Sequence, residues 1–507
     1  MNRDLILSLD VGTLGAKVGI FNSNLELVAQ NAQEYSISHP KATWAEQRPE
    51  VWWETLKALI NNLLNEKRIS PERIGVIGIS NTCPSLIAMD EEGDALRPSI
   101  LFMDQRSIKQ AQFINKKVGR RDIFEITGNR IASGTFSLTS MLWIKDNEPH
   151  IYKNTKSFVH ANGYIVNKLT KERAMDPSNA SLTGLFDIRK IKWSEEIAQR
   201  LDFDLSKLPK IIWSYEKVGL TKELDKELNL PEGIPVVIGA ADSACAALGL
   251  GTVNDGEAFE TTGTSSVLAV VSNKPLFDSR LINRCHVKEN LWLLMGAMST
   301  TGASLRWFKD NFFSYEVFLA KELKVSPYEI IDEEAKKSPI GSNNLIFLPY
   351  MMGERCPLWD PYARGVLIGL SLAHKKGDIA RAIMEGVAYG LRSNLEVIES
   401  LGLKVNEIRV TGAGARSHLW KEIKSNVLRK RIVSFMIKEA ALLGAAILAS
   451  CNSSSEIVNR ANKIYQKREE VIEPTYSEPY NFYYEIFKDS YKKLKSIFKR
   501  LQREVMV

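Results

Sequence analysis

Two aspartates stand where little nearby would neutralise an acid. Asp242 lies in GAADSACAALGLG, residues 239–251, among Gly, Ala and Cys, and Asp10 interrupts the apolar run LILSLDVG. An isolated carboxylate can take a proton from a hydroxyl, hold a hard cation, or cap a helix. For Asp242 the residue types alone favour the cap, over a helix expected at Ser243–Leu250 whose first amides it would accept. Two Gly-Thr pairs bear on the choice. LDVGTLGAKVGIF (9–21) and ETTGTSSVLAVV (260–271) each read as strand, turn, strand. Such turns, at Gly12-Thr13 and Gly263-Thr264, expose backbone N–H groups and a hydroxyl in a concavity suited to an anion. Facing each other across a cleft, they could hold a polyphosphate from both sides. IRVTGAGARSHLW (408–420) adds a strand, a Gly-rich turn and a helix start, whose field also favours negative charge. The late position and the spacing disfavour a Rossmann site, and no G-x-x-x-x-G-K-[ST] pattern is present.

Alternating short apolar runs and longer helical patterns must position these residues. Leu5–Leu9, Val18–Phe21, Ile74–Ile79 and Leu86–Met89 read as strands, and Val51–Leu64 and Ser107–Val118 as helices. A second series starts near Ala258 and continues through Leu291–Met295, Leu345–Leu348, Ile408–Val410 and the small-residue helix Ala440–Ala449. This alternation predicts an α/β protein. At 507 residues, two or more domains are expected.

Composition narrows the class further. The chain is 44% apolar and 25% charged, as in globular proteins, and has no apolar run long enough to span a bilayer. No signal-peptide cleavage pattern is read at the N-terminus. Cys83, Cys245, Cys285, Cys356 and Cys451 are odd in number and lack metal-ligand spacing, which predicts reduced thiols and a cytoplasmic location. Much of the net charge of +7 sits in Lys488–Arg503, where Phe487, Tyr491, Leu494, Phe498 and Leu501 recur at helical spacing. The expectation is a terminal helix docked by that apolar face, with neither nucleic acid nor membrane as partner.

Eight segments in order resemble the FGGY carbohydrate kinases, the group with xylulokinase, ribulokinase and glycerol kinase. They are LDVGTLGAKVGIF, WAEQRPEVWW (44–53), LRPSILFMDQR (96–106), GAADSACAALGLG, TTGTSS, LPYMMGERCPLWDPYARGVLIGLSL (348–372), VTGAGARSHLW and EAALLGAAILA (439–449). The resemblance implies two ribonuclease-H-like, actin-like ATPase domains around a central cleft, here residues 1–247 and 248–507, with Mg-ATP between them. It makes Asp242 the catalytic base and Asp10 the carboxylate facing Mg2+ and the transferred phosphoryl group. Gly12, Thr13 and Lys17 resemble the first phosphate loop, and Gly263 and Thr264 the second. For Lys17 a surface lysine is an equal alternative. Gly302, Gly412, Ala413 and Ser417 match positions near the base and ribose of ATP. Glu439 and Arg355 receive no role.

The sugar side departs from every named pattern. Cys83 and Pro84 replace both the Arg-Glu pair of glycerol kinases and the Met-His pair of xylulokinases, and Ser140 replaces a lysine of the first FGGY signature. Thr82-Cys83 is similar to the Thr-Cys pair of ribulokinases, but Ser80 or Asn81 stands here in place of their preceding aspartate. Asp104, followed by Arg106, keeps the pentulose-kinase style and is the best candidate for sugar hydroxyls, beside Thr82, Cys83 and Phe102. The expected acceptor is the terminal hydroxyl of a ketose, chiefly a pentulose such as xylulose or ribulose. Glycerol, erythritol or a heptulose, and a non-catalytic binding protein on the same fold, are the alternatives. A homodimer is compatible with this reading.

Overall fold

Strand β1, Leu5–Val11, is buried along its whole length, Asp10 included. The computed structural model describes residues 3–224, 228–437 and 439–503; the ends of the two expected domains, residues 1–2 and 504–507, lie outside these. β1 pairs antiparallel with β2 (Gly15–Phe21), which pairs antiparallel with β3 (Leu27–Glu34). On its other side β1 pairs parallel with β4, Ile74–Asn81. Strands β5 (Lys217–Leu220) and β6 (Pro235–Val237) extend the sheet in the order β5-β6-β4-β1-β2-β3, and β7 (Ala240–Ala241) joins the end of β4. Helix α1, Pro49–Glu66, covers one face with Trp52, Trp53, Leu56 and Leu63, an apolar stripe at helical spacing.

The second half repeats the plan. Strands β8 (Ala258–Thr262), β9 (Ser266–Ser272), β10 (Ile282–Cys285), β11 (Trp292–Met298), β12 (Glu407–Thr411), β13 (Arg431–Phe435) and β14 (Arg468–Ile472) form a sheet in the order β10-β11-β9-β8-β12-β13-β14. β8 and β9 are antiparallel, whereas β8, β12 and β13 are parallel. The motif β8-β9-β11 with β12 therefore matches β1-β2-β3 with β4 in strand order and direction. The local likeness of the two Gly-Thr turns belongs to a likeness of whole domains, and the fold is two actin-like domains, as expected. The other expected strands lie at Ser85–Met89 and Ile346–Leu348. The helix expected at Ser107–Val118 is α-helical over Ile108–Ile114 and widens into a π-type turn over Asn115–Gly119.

Two small-residue helices cross at the junction of the halves. These are α2, Asp242–Gly249, and α6, Ala440–Ala449. A Cβ on Gly249 would lie 2.0 Å from Ala440 O, and one on Gly444 1.9 Å from Cys245 O, so glycine is required for this approach. Helix α6 also lies on the first sheet. A Cβ on Gly78 would meet Ala445 O at 2.3 Å, and Ser8 Oγ donates to Leu442 O at 2.7 Å. The expected division at 247 and 248 falls inside α2. Helix α7, Glu478–Arg503, docks on the second half through Tyr480, Tyr484, Phe487, Tyr491 and Phe498; Leu501 of the expected stripe is instead exposed. Among the described residues no helix is long and apolar enough to cross a membrane.

Candidate active site

Asp242 opens α2 rather than preceding it. The residue before the helix is Ala241, which makes no side-chain cap, and Ser243 N donates to Asp242 Oδ1 at 2.6 Å. The expected capping thus reduces to hydrogen bonding with the adjacent Ser243. The low-polarity surroundings push the Asp242 carboxyl up to about 6; the Arg284 guanidinium pulls it down and the Asp10 carboxylate pushes it up. An acid poised there is ionised at neutral pH yet still able to accept a proton.

Asp10 is the penultimate residue of the buried strand β1. Ser80 Oγ, from the parallel neighbour β4, donates to Asp10 Oδ1 at 2.7 Å. Burial pushes its pKa up, opposed by Ser80 and Lys17, while Glu439 adds to the rise. The sequence reading gave Glu439 no role, yet Lys17 Nζ lies 2.5 Å from its Oε2. Lys17 pairs in register with Asp10 across β1 and β2. Asp10, Lys17 and Glu439 therefore form one charged group at the mouth of the first turn. Asp10 and Glu439 offer carboxylate oxygens of the kind Mg2+ takes while keeping part of its water, with the Lys17 ammonium beside them.

The turns are built as cradles. Tyr35 Oη donates to Gly12 O at 2.6 Å and Gln47 Nε2 to Thr13 O at 2.8 Å, fixing the first turn's carbonyls away from the cleft. Thr82 Oγ1 shares a 2.8 Å hydrogen bond with Thr13 Oγ1, so Thr82 supports this turn from below. In the second turn a Cβ on Gly263 would meet nothing closer than Ser265 O at 3.7 Å. Protein packing leaves that space open, as a closely approaching ligand requires. Gly302 begins the helix α3, Gly302–Phe312; its N donates to Gly263 O at 3.1 Å, and a Cβ there would lie 2.3 Å from the same oxygen. Gly412 has φ +89, and a Cβ there would meet Thr262 O at 2.6 Å. Gly412 and exposed Ala413 thus continue the second cradle along β8. Ser417 caps the helix α5, His418–Leu428, by accepting from Trp420 N at 3.0 Å, which occupies its hydroxyl oxygen in part.

The sugar-side residues divide. Cys83 faces Arg284 and Asp242, and its Sγ lies 3.5 Å from His160 Nδ1. Burial pushes the Cys83 thiol up to about 12 and the His160 imidazole down to about 4, so both are neutral. Phe102 is part-exposed, and the tight Gly134 turn beside it would place a Cβ 2.4 Å from Phe102 O. Asp104 is 1% exposed and fully engaged. Its Oδ1 accepts from Arg106 N and Nε at 2.8 and 3.0 Å, and its Oδ2 from Arg106 Nη2 and Ala45 N at 2.8 and 2.6 Å. Those four bonds use the acceptor sites of a carboxylate. Asp104 therefore ties the segment 96–106 to the segment 44–53, with Arg106 also paired to Glu46 and stacked 3.7 Å from the Trp44 ring centroid. It holds these two segments together instead of offering a free oxygen. Sequence reasoning also missed Arg284. The available signal was the kind that exposed Asp10, a charge within a strand that is otherwise buried.

Each of the two actin-like domains carries a Gly-Thr turn between antiparallel strands, and the Asp10 carboxylate acts on Asp242, features suited to phosphoryl transfer. Residues 5–249 match the N-terminal domain and residues 258–453 the C-terminal domain of the FGGY family of carbohydrate kinases, and the chain belongs to that family. It is 30% identical over 448 residues to a xylulose kinase of Staphylococcus xylosus, covering 88% of this chain and 90% of that one. It is 32% identical over 447 residues to a gluconokinase of Bacillus subtilis (strain 168), covering 87% and 86%. The crystal structure of the xylulose kinase from Rhodospirillum rubrum superposes with a TM-score of 0.86 at 26% identity, over 98% of this chain and 100% of that one.

Proposed function

We propose that this carbohydrate kinase transfers the γ-phosphoryl group of ATP to the terminal hydroxyl of an open-chain acceptor, with Asp242 as the base. The Asp10 carboxylate, at the end of β1 that leads into the first Gly-Thr turn, acts on Asp242, and this carries the reading. The acceptor oxygen bonds to the γ-phosphorus as the bond from that phosphorus to the ADP oxygen breaks, and the hydroxyl proton passes to Asp242. In such a loose transition state, alignment and charge neutralisation supply most of the rate. Asp10, with Glu439 nearby, would hold Mg2+, which when bound neutralises polyphosphate charge. Gly12, Thr13 and Lys17 hold the phosphates from one domain and Gly263 and Thr264 from the other. Gly302, Gly412, Ala413 and Ser417 border the nucleotide. Residues 1–247 and 248–507 are the bodies proposed to close on the substrates. The five free thiols support a cytoplasmic location.

For the acceptor, the xylulose kinase relatives support a pentulose, with Cys83 and Phe102 beside it. A sugar acid is the second reading, raised by the gluconokinase relative and favoured by Arg284, a cation beside the base. Phosphorus NMR of the product formed from ATP and each acceptor tests the reaction. A phosphomonoester on the terminal carbon supports it; orthophosphate alone, at a rate indifferent to acceptor, contradicts it.

A further inference from the structure

Arg284 differs from the other buried arginines of this protein. Arg97 pairs with Glu46 and Glu148, Arg106 with Glu46 and Asp104, Arg381 with Glu385, and Arg409 with Glu257 and Glu407. Arg284 is 2% exposed, and among the described residues no carboxylate comes within ion-pair distance of it. Its guanidinium reaches a single oxygen there, Ser243 Oγ at 2.5 Å from Nη1, together with the Cys83 thiol, and its buried Nε meets no acceptor. A guanidinium in low-polarity surroundings is costly unless paired, and its planar fork matches a carboxylate.

The position says what the missing partner touches. Arg284 lies on the edge strand β10, whose neighbours Asn283 and Cys285 are anchored to the first half: Asn283 N donates to Asn129 Oδ1 at 2.8 Å and Cys285 N to Ser181 Oγ at 3.0 Å. The strand thereby carries the charge from the second domain to the sugar side of the first. There it stands beside Ser243, Cys83, His160 and Asp242, the last of these the proposed base. His160 and Cys83 are neutral, so Asp242 is the one anion among them, and it stands beyond ion-pair range.

We infer that Arg284 is a specificity-determining residue that binds a carboxylate on the acceptor, so that of the two acceptor readings the open-chain sugar acid, not the pentulose, is the preferred one. A singly charged carboxylate supplies the two oxygens that the unpaired edge of the guanidinium lacks. The inference rests on the kinase reading for its chemistry but not for its binding. An alternative duty for Arg284, tuning Asp242 alone, would act on every acceptor equally.

The test compares five- and six-carbon aldonates with the corresponding alditols and ketoses, matched in stereochemistry, for the wild type, Arg284→Met and Arg284→Lys. The wild type should prefer an aldonate to its alditol by about 100-fold in kcat/KM, as a charged hydrogen-bonded pair permits. Arg284→Met should bring that ratio near unity, mainly through KM, and Arg284→Lys should leave it in between. Thermal shifts of the wild type, taken with a non-hydrolysable ATP analogue, should show stabilisation by the aldonate and none by the alditol; this readout needs no folded variant and no turnover. A wild type that favours ketoses and is not stabilised by any aldonate overturns the inference. So does an equal loss on all acceptors in Arg284→Met with the acid limb of kcat moved upward. Absence of turnover on every acceptor, with aldonate stabilisation present, refutes the kinase reading and leaves Arg284 as an anion-binding residue.

Discussion

Lys17 Nζ and Glu439 Oε2 are 2.5 Å apart, joining the first hairpin to the residue that leads into helix α6. The bond crosses from one half of the chain to the other beside Asp10. Both side chains retain solvent contact, at 40% and 27%, so the pair adds little to stability. The pair holds the Lys17 ammonium beside Asp10, at the turn proposed to bind phosphate.

Lys17→Met should therefore raise KM for ATP or lower kcat by about tenfold to a hundredfold, the loss of one charge contact, while Tm moves by no more than a surface pair allows. Steady-state kinetics with varied ATP, paired with a melt, checks this. Unchanged kinetics would return Lys17 to the role of a surface lysine.

The pKa of Asp242 gives a prediction with a definite sign. Its folded value of about 6 lies above the ordinary 3.8, so the folded state holds this proton more tightly than the unfolded state. That contribution to stability is present below the ordinary value and is lost as pH rises through 6. Asp242→Asn, which never ionises, should thus melt higher than the wild type at pH 7.5, by on the order of 1–3 kcal/mol, with the difference vanishing near pH 4. In the wild type, kcat/KM should climb as pH rises through about 6. Melts and rate profiles across that window decide both.

Asp104→Ala should act on folding first. It leaves Arg106 buried with Glu46 as its remaining partner and Ala45 N without an acceptor. Breaking a buried pair costs about 3–5 kcal/mol, and Glu46 places this case at the lower end. Urea denaturation measures it. A stable variant with a raised sugar KM would instead restore Asp104 as a direct sugar ligand.

Gly302→Ala forces a Cβ to 2.3 Å from Gly263 O, so the second turn must shift. Overpacking of this kind costs about 1–3 kcal/mol. KM for ATP should rise more than KM for the acceptor, and isothermal titration with an ATP analogue should show the same weakening. Equal effects on both ligands would argue that the turn serves no nucleotide.

The fold was legible because its strands are short apolar runs punctuated by Gly-Thr turns, and because those runs occur in two similar series. Candidate site residues stood out where a charge or a glycine sits in an apolar context, at Asp10, Asp242, Gly12 and Gly263, whereas Gly302 and Gly412 were reached only through the family resemblance. The site was not legible where function depends on what a side chain meets across the chain. Nothing local to Asp104 shows that Ala45 and Arg106 take up its oxygens. Nothing local to Arg284 shows that it lacks a carboxylate, since pairing is decided by residues far away in sequence. Glu439 was passed over because its partner, Lys17, is 422 positions distant.

The central claim is that Asp242 takes the proton in an acceptor-dependent phosphoryl transfer. ADP release by the wild type and Asp242→Asn, with and without acceptor at saturating ATP, tests it most directly. The account predicts that wild-type turnover requires the acceptor. It also predicts that Asp242→Asn binds the ATP analogue normally but is slower by about 10²–10⁴. Near-native turnover in Asp242→Asn, or ADP release indifferent to acceptor, would contradict it.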